Sequence, residues 1–145
     1  GVGWVPADEL DRIGLGAANR VAWERAIAAL PVAPDYLLLD GFRLPTSALP
    51  QERIVRGDRD CLSIAAASIV AKVARDRALV ALDARHPAYG FGRHKGYGTA
   101  AHRAALARHG ACPEHRHSFA PLRGLATAAL NLPLGDGPGS GRDGG

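Results

Sequence analysis

Apolar and polar positions alternate along the chain in a few distinct rhythms. Between residues 17 and 30 the larger apolar side chains Val21, Trp23, Ile27 and Leu30 recur at helical spacings among strong helix formers, which predicts a helix. Ahead of it, Asp8, Glu9 and Asp11 put negative charge where a helix N-terminus favours it, with Asp8 as the expected cap. Pro31 and Pro34 stop the first helix, and Tyr36-Leu37-Leu38-Leu39 is a short apolar run closed by Asp40-Gly41. Such a run predicts a strand buried on both faces. Pro45 and Pro50 punctuate a connection, after which Arg53-Ile54-Val55 predicts a second strand ending at Gly57-Asp58. From Ile64 to Arg85 there is no glycine or proline, and with Ser63 as cap this stretch predicts the longest helix. Ala66, Ile69, Val70, Val73, Val80 and Ala81 fall on one side of it and are expected to pack, flanked by Ser68, Lys72 and Asp76 at one-turn intervals. A glycine-rich loop follows His86-Pro87, then a helix from about Ala100 to His109 with Gly110 as its stop.

Composition narrows the class. With 145 residues, 47% hydrophobic and 22% charged, one globular core is expected. No apolar run reaches the roughly 20 residues of a bilayer span and no signal-peptide pattern opens the chain, so a cytosolic location is expected. Cys61 and Cys112 lie far apart with no second thiol near either, which reads as two buried thiols rather than a zinc site or a disulfide framework. A net charge of +4 favours a polyanionic partner. The absence of methionine and the opening Gly1 predict a fragment of a longer chain, and residues 126–145, rich in glycine and proline, a disordered tail.

The order helix, strand, loop, strand, helix predicts an α/β domain, whose ligands gather beyond the carboxyl ends of the strands. Asp40 and Asp58 both fall there, each beside a glycine that lets the backbone turn. Two carboxylates brought close repel, and a hard cation such as Mg²⁺ or Mn²⁺ removes that conflict by accepting oxygen ligands. The plainer alternative is an Asp-Gly turn after a strand. Lys72, His94, Lys95, Tyr97 and the pair His102-Arg103 supply cations and an aromatic platform suited to phosphates and bases. Against this, Lys72 has Asp76 one turn away as an ordinary helical partner, and Tyr97 can serve as a half-buried anchor. His115 and His117 are read as surface or packing residues, since no third ligand accompanies them.

Five ordered blocks, LLLDG at 37–41, VRGD at 55–58, SIAAASIVAKVARDR at 63–77, YGFGRHKGYGT at 89–99 and HRHSFAP at 115–121, resemble ribonuclease HII, the type 2 ribonuclease H family. The likeness covers about residues 1–125. It implies a ribonuclease H-like α/β fold, a mixed sheet flanked by helices with the opening strands missing from this chain. It also implies cleavage of RNA in RNA–DNA hybrids, and at ribonucleotides within duplex DNA, through four acids and two divalent ions. Asp40 matches the third acid and Asp58 the fourth, with Arg56 where the family carries lysine. Tyr97 matches the tyrosine that packs on the sugar beside the ribonucleotide. Lys72, His94 and Lys95 match blocks lining the substrate groove, and Asp76 is expected to support its helix. The implied protein is a monomer that uses Mg²⁺ or Mn²⁺.

The family's first two acids, an Asp-Glu pair, and its Gly-Arg-Gly loop have no counterpart here; Gly3, Asp8, Glu9 and Asp11 do not sit in those blocks. The chain alone is therefore expected to be inactive and poorly folded, with unpaired sheet edges and exposed apolar faces. A competing reading is a non-catalytic, basic nucleic-acid-binding module, and a third is an interaction domain without nucleic acid.

Overall fold

Leu37 and Leu39 turn their side chains to the same side of β1 (Leu37–Asp40) and are buried there, while Leu38 and Asp40 face outward. The computed structural model describes residues 1–118, so the tail expected from 126 onward lies outside the described residues. Strand β2 (Gln51–Ile54) pairs with β1 in parallel, Leu37 opposite Gln51 and Asp40 opposite Ile54. Parallel strands need a crossing connection, supplied by residues 41–50. The Gln51 side chain pins it, accepting the Leu44 N–H through Oε1 at 2.8 Å and donating Nε2–H to the Leu44 carbonyl at 3.0 Å. Leu44 is thereby held fully buried with Leu37 and Leu39.

Trp23 and Ile27 of α2 (Leu15–Ala28), with Leu49, close that core. The expectation that β1 is buried on both faces is thus corrected: Leu37 and Leu39 are buried on one side, whereas Leu38 on the other is 38% exposed. The second strand starts earlier than the β-branched pair suggested, and Val55 is left exposed beyond its end.

Helix α1 (Ala7–Ile13) precedes α2, the two separated by Gly14 at φ 79°; Pro6, not Asp8, occupies the cap position. Glu9 accepts both guanidinium nitrogens of Arg25, at 2.7 and 2.8 Å, and Arg25 also donates to the Trp4 carbonyl. Asp11 accepts the backbone N–H groups of His117 at 2.6 Å and Ser118 at 3.1 Å, and the Ser118 hydroxyl. The early acids therefore clamp helices and the far end of the described chain.

A short helix α3 (Gly57–Asp60) leads into α4 (Leu62–Arg85), which starts before Ser63 and takes no cap from that hydroxyl. Helix α4 packs against β1, α3 and α5 (Phe91–His94). Its buried side carries Ile64, with Ala74, Ala78, Leu79 and Leu82 partly covered. The stripe expected to pack is instead open, Ile69 being 63% and Val70 54% exposed, because no described element lies over it. Helix α6 (Ala100–His109) matches its expected bounds, capped by Thr99 Oγ1 accepting from the His102 N–H and stopped at Gly110, φ 73°. No described helix is long and apolar enough to cross a membrane.

Candidate functional site

Parallel pairing sends the carboxyl ends of β1 and β2 to the same end of the sheet. Asp40 closes β1, and Gly41 at φ 73° turns the chain while its N–H still reaches the Ile54 carbonyl at 2.9 Å. After β2, Arg56 adopts the left-handed conformation, φ 59°, and reverses the chain into α3. Gly57 is buried there against Ile64; a Cβ at this position would stand 2.4 Å from Ile64 Cδ1. The Gly57 N–H donates to Asp40 Oδ1 at 2.8 Å. One carboxylate is thus hydrogen-bonded to the residue preceding the other, and both Asp40 and Asp58 are exposed.

These donors suit a hard divalent cation in type, since such ions take carboxylate oxygens. In number they fall short of a six-oxygen shell. Among the described residues no group of three or more His, Cys, Asp or Glu side chains converges as a metal cage. Asp40 Oδ2 and the Asp58 carboxylate are the atoms free to contribute.

The glycine-rich segment contains one helical turn, α5, rather than loop throughout. Lys95 and Gly96 follow it at φ 50° and 75°, folding the chain back onto α4. Tyr89 is half-buried and Phe91 buried, stacked on each other, whereas Tyr97 is 63% exposed. The Arg75 guanidinium lies 5.6 Å from the centre of the Tyr97 ring, a cation–π contact from α4 to the loop. Lys95 Nζ donates to the Gly92 carbonyl, and with Val73, Asp76, Arg77 and Val80 it lines a shallow groove of about 320 Å³. Lys72 pairs with Asp76 at 2.6 Å one turn along α4; that hydrogen bond raises the Lys72 pKa and holds the Asp76 carboxyl below its ordinary value. Arg103 donates to the Gly98 carbonyl at 2.5 Å.

His94 is placed differently from Lys95 and Tyr97. It is buried, its Nε2 is 2.7 Å from the Tyr89 carbonyl, and its Nδ1 accepts the Gly96 N–H at 3.1 Å. No ring nitrogen is left for a ligand. His94 stacks on His102, ring centres 4.1 Å apart, and His102 Nε2 meets His115 Nε2 at 3.1 Å. Burial pushes the pKa of His102 down and that of His115 down to about 4, with the neighbouring imidazoles adding to the effect. Burial likewise pushes the Cys112 thiol up, and its sulfur lies 3.0 Å from His115 Nδ1. The packing reading of His115 fits its position, and His117 is exposed.

Arg75 is a functional neighbour the pattern did not single out, although its place three residues after Lys72 puts it on the same helical flank. His102, expected to supply a cation, is instead a buried ring that supports the loop, its pKa lowered by burial.

The family model described as Ribonuclease HII matches residues 2–122. A ribonuclease HII of Mycobacterium tuberculosis is 49% identical over 141 residues, covering 97% of this chain and 53% of that protein. One of Mycobacterium avium is 52% identical over 126 residues, covering 87% of this chain and 55% of the relative. The chain therefore spans about half the length of the curated relatives it matches. The crystal structure of a ribonuclease H2 from Pyrococcus horikoshii superposes with a TM-score of 0.68 at 17% identity, covering 88% of this chain and 68% of that one. That likeness establishes the ribonuclease H-like α/β fold, a small open sheet flanked by helices. On the match to its family model and on its mycobacterial relatives, this chain belongs to the ribonuclease HII family.

Proposed function

We propose that this chain serves an endoribonuclease that hydrolyses the RNA strand of RNA–DNA hybrids and cuts at ribonucleotides embedded in duplex DNA. The ends left are 5′-phosphate and 3′-hydroxyl, and the enzyme acts as a cytoplasmic monomer. The observation that carries this reading is the Asp40–Gly57 hydrogen bond, which ties the acid at the end of β1 to the turn bearing Asp58. Asp40 and Asp58 are the residues we assign to oxygen ligation of Mg²⁺ or Mn²⁺. When bound, such ions supply water activation and charge stabilisation at the leaving 3′-oxygen. Asp40 contributes through Oδ2, because Gly57 occupies Oδ1 and fixes the carboxylate's orientation. Lys72 and Lys95 contact backbone phosphates, and the exposed Tyr97 ring stacks on sugar or base. His94 contributes through the loop it supports.

These residues amount to two of the four acids that the family resemblance implies. Glu9 is held by Arg25, and Asp11 by His117 and Ser118, so neither is free to complete the set. We assign no cleavage to the 145 residues alone. The test uses this chain and the same chain extended at its N-terminus by the corresponding segment of the Mycobacterium tuberculosis relative. Each is offered a DNA duplex bearing one ribonucleotide, with Mg²⁺ or Mn²⁺. Metal-dependent cleavage by the extended chain only is expected. Salt-sensitive binding without cleavage by either would favour a non-catalytic nucleic-acid-binding module, a reading the basic loop around Tyr97 also supports.

A further inference from the structure

We propose that His94, His102 and His115 form a positioning chain that fixes the loop presenting Tyr97 by holding one arrangement of protons among buried neutral imidazoles. The inference rests on the reading of Tyr97 as a nucleic-acid contact.

The proton arrangement follows from the partners. A carbonyl only accepts, so the Tyr89 carbonyl 2.7 Å from His94 Nε2 requires hydrogen on that nitrogen. His94 Nδ1 is then the acceptor for the Gly96 N–H. The Tyr97 carbonyl, 3.0 Å from His102 Nδ1, requires hydrogen there, leaving His102 Nε2 as an acceptor. His115 Nδ1 accepts the Cys112 N–H at 3.1 Å, so its hydrogen sits on Nε2 and points at His102 Nε2. Every ring nitrogen has a role, and one ring, His102, takes the opposite tautomer to the other two. A second proton on any ring would set two donors against each other in a site at most 8% exposed.

What the chain holds is the backbone of Tyr97. Its carbonyl accepts from both His102 Nδ1 and the Thr99 N–H, and its own N–H donates to the His94 carbonyl at 2.9 Å. Those bonds use the main-chain donor and both acceptor sites of one residue. Tyr97 is also the loop aromatic left exposed, while Tyr89 and Phe91 turn inward against the imidazoles. Apolar rings would fill this pocket at lower desolvation cost but would give the Tyr97 carbonyl no donor. The polar chain is accounted for by what it orients.

The 145-residue chain, labelled with ¹⁵N at histidine, is examined by NMR at neutral pH. Two neutral rings protonated at Nε2 and one at Nδ1 are expected among the buried histidines; a fast-averaged tautomer mixture on all three overturns the proposal. His102→Phe is expected to lose the cross-relaxation between Arg75 and the Tyr97 ring and to weaken binding of a duplex with one ribonucleotide about tenfold. His102→Asn places an amide N–H where Nδ1–H stood, and is expected to restore the ring contact and to bring affinity to within about threefold of the parent. If His102→Phe retains both contact and affinity with α4 resonances unchanged, the proposal fails. If His102→Phe does not fold, the parent tautomers and the His102→Asn variant decide. Should the unsubstituted chain bind no duplex, the nucleic-acid reading fails, while the Arg75–Tyr97 contact still judges the positioning role.

Discussion

Asp40 Oδ1 accepts the amide hydrogen of Gly57 at 2.8 Å, so the last residue of β1 satisfies the first N–H of α3. The same side chain is the one assigned to metal ligation, and the two duties are separable. Asp40→Asn keeps an acceptor oxygen and removes the charge. Its stability is expected to stay within about 0.5 kcal/mol of the parent, while cleavage by the N-terminally extended protein falls about a thousandfold or more. Asp40→Ala leaves the Gly57 N–H without its partner and is expected to cost about 1–2 kcal/mol besides. Urea unfolding and cleavage of a ribonucleotide-bearing duplex measure the two effects.

Gly57 is required by space rather than by backbone angle. A Cβ would stand 2.4 Å from Ile64 Cδ1, and at 3.4 Å from both Ile64 Cγ2 and Ile54 Cβ. Gly57→Ala is expected to destabilise by about 1–3 kcal/mol. Ile64→Val removes the offending methyl and costs about 1 kcal/mol alone. The double variant is expected to be less destabilised than the sum of the two, which a double-mutant cycle in urea reads directly.

The buried imidazoles make the fold acid-sensitive. His115 ionises near 6.5 when unfolded and at about 4 when folded, and His102 is shifted the same way, so between those pH values the unfolded chain binds more protons. Stability is full above about pH 6.5 and falls as pH drops toward 4, by about 3 kcal/mol for His115. The imidazoles of His102, His117 and His86 that face it oppose its protonation and add to the effect. Asp11, Glu9 and Asp76, whose pKa values are lowered, act in the same direction at lower pH. Denaturant midpoints from pH 7 to 4.5 are expected to slope less steeply in His115→Gln than in the parent.

Asp11 joins α1 to residues 117 and 118 through three accepted hydrogen bonds. Asp11→Ala is expected to speed amide exchange at His117 and Ser118 about tenfold while leaving α4 protected. Glu9→Gln breaks a solvent-exposed ion pair with Arg25 and is expected to leave the urea midpoint nearly unchanged.

Much of the frame was legible in the residue pattern. The glycine- and proline-free stretch announced α4, Gly110 marked the end of α6, and the apolar run before Asp40 marked β1. Local chemistry decides those features. The burial of β1 on one face, the open stripe of Ile69 and Val70, and the Asp11 clamp depend on which elements meet in space, and spacing carries no record of that. The acids Asp40 and Asp58 could be named from their glycine neighbours, whereas their link through the Gly57 N–H needed the parallel register. His94, His102 and His115 share no helical or strand period, so nothing in the pattern joined them.

The three imidazoles are packed together, His94 stacked on His102 and His102 hydrogen-bonded to His115. Replacing His115 strands an acceptor on His102 and replacing His102 strands a donor on His115, while losing His94 strands the Gly96 N–H and the Tyr89 carbonyl, so a lineage that loses one ring is expected to change its hydrogen-bond partner in compensation. Among relatives these positions should vary together or not at all, and the side chains substituting for His102 should be those that still offer a hydrogen to the main chain of the exposed tyrosine.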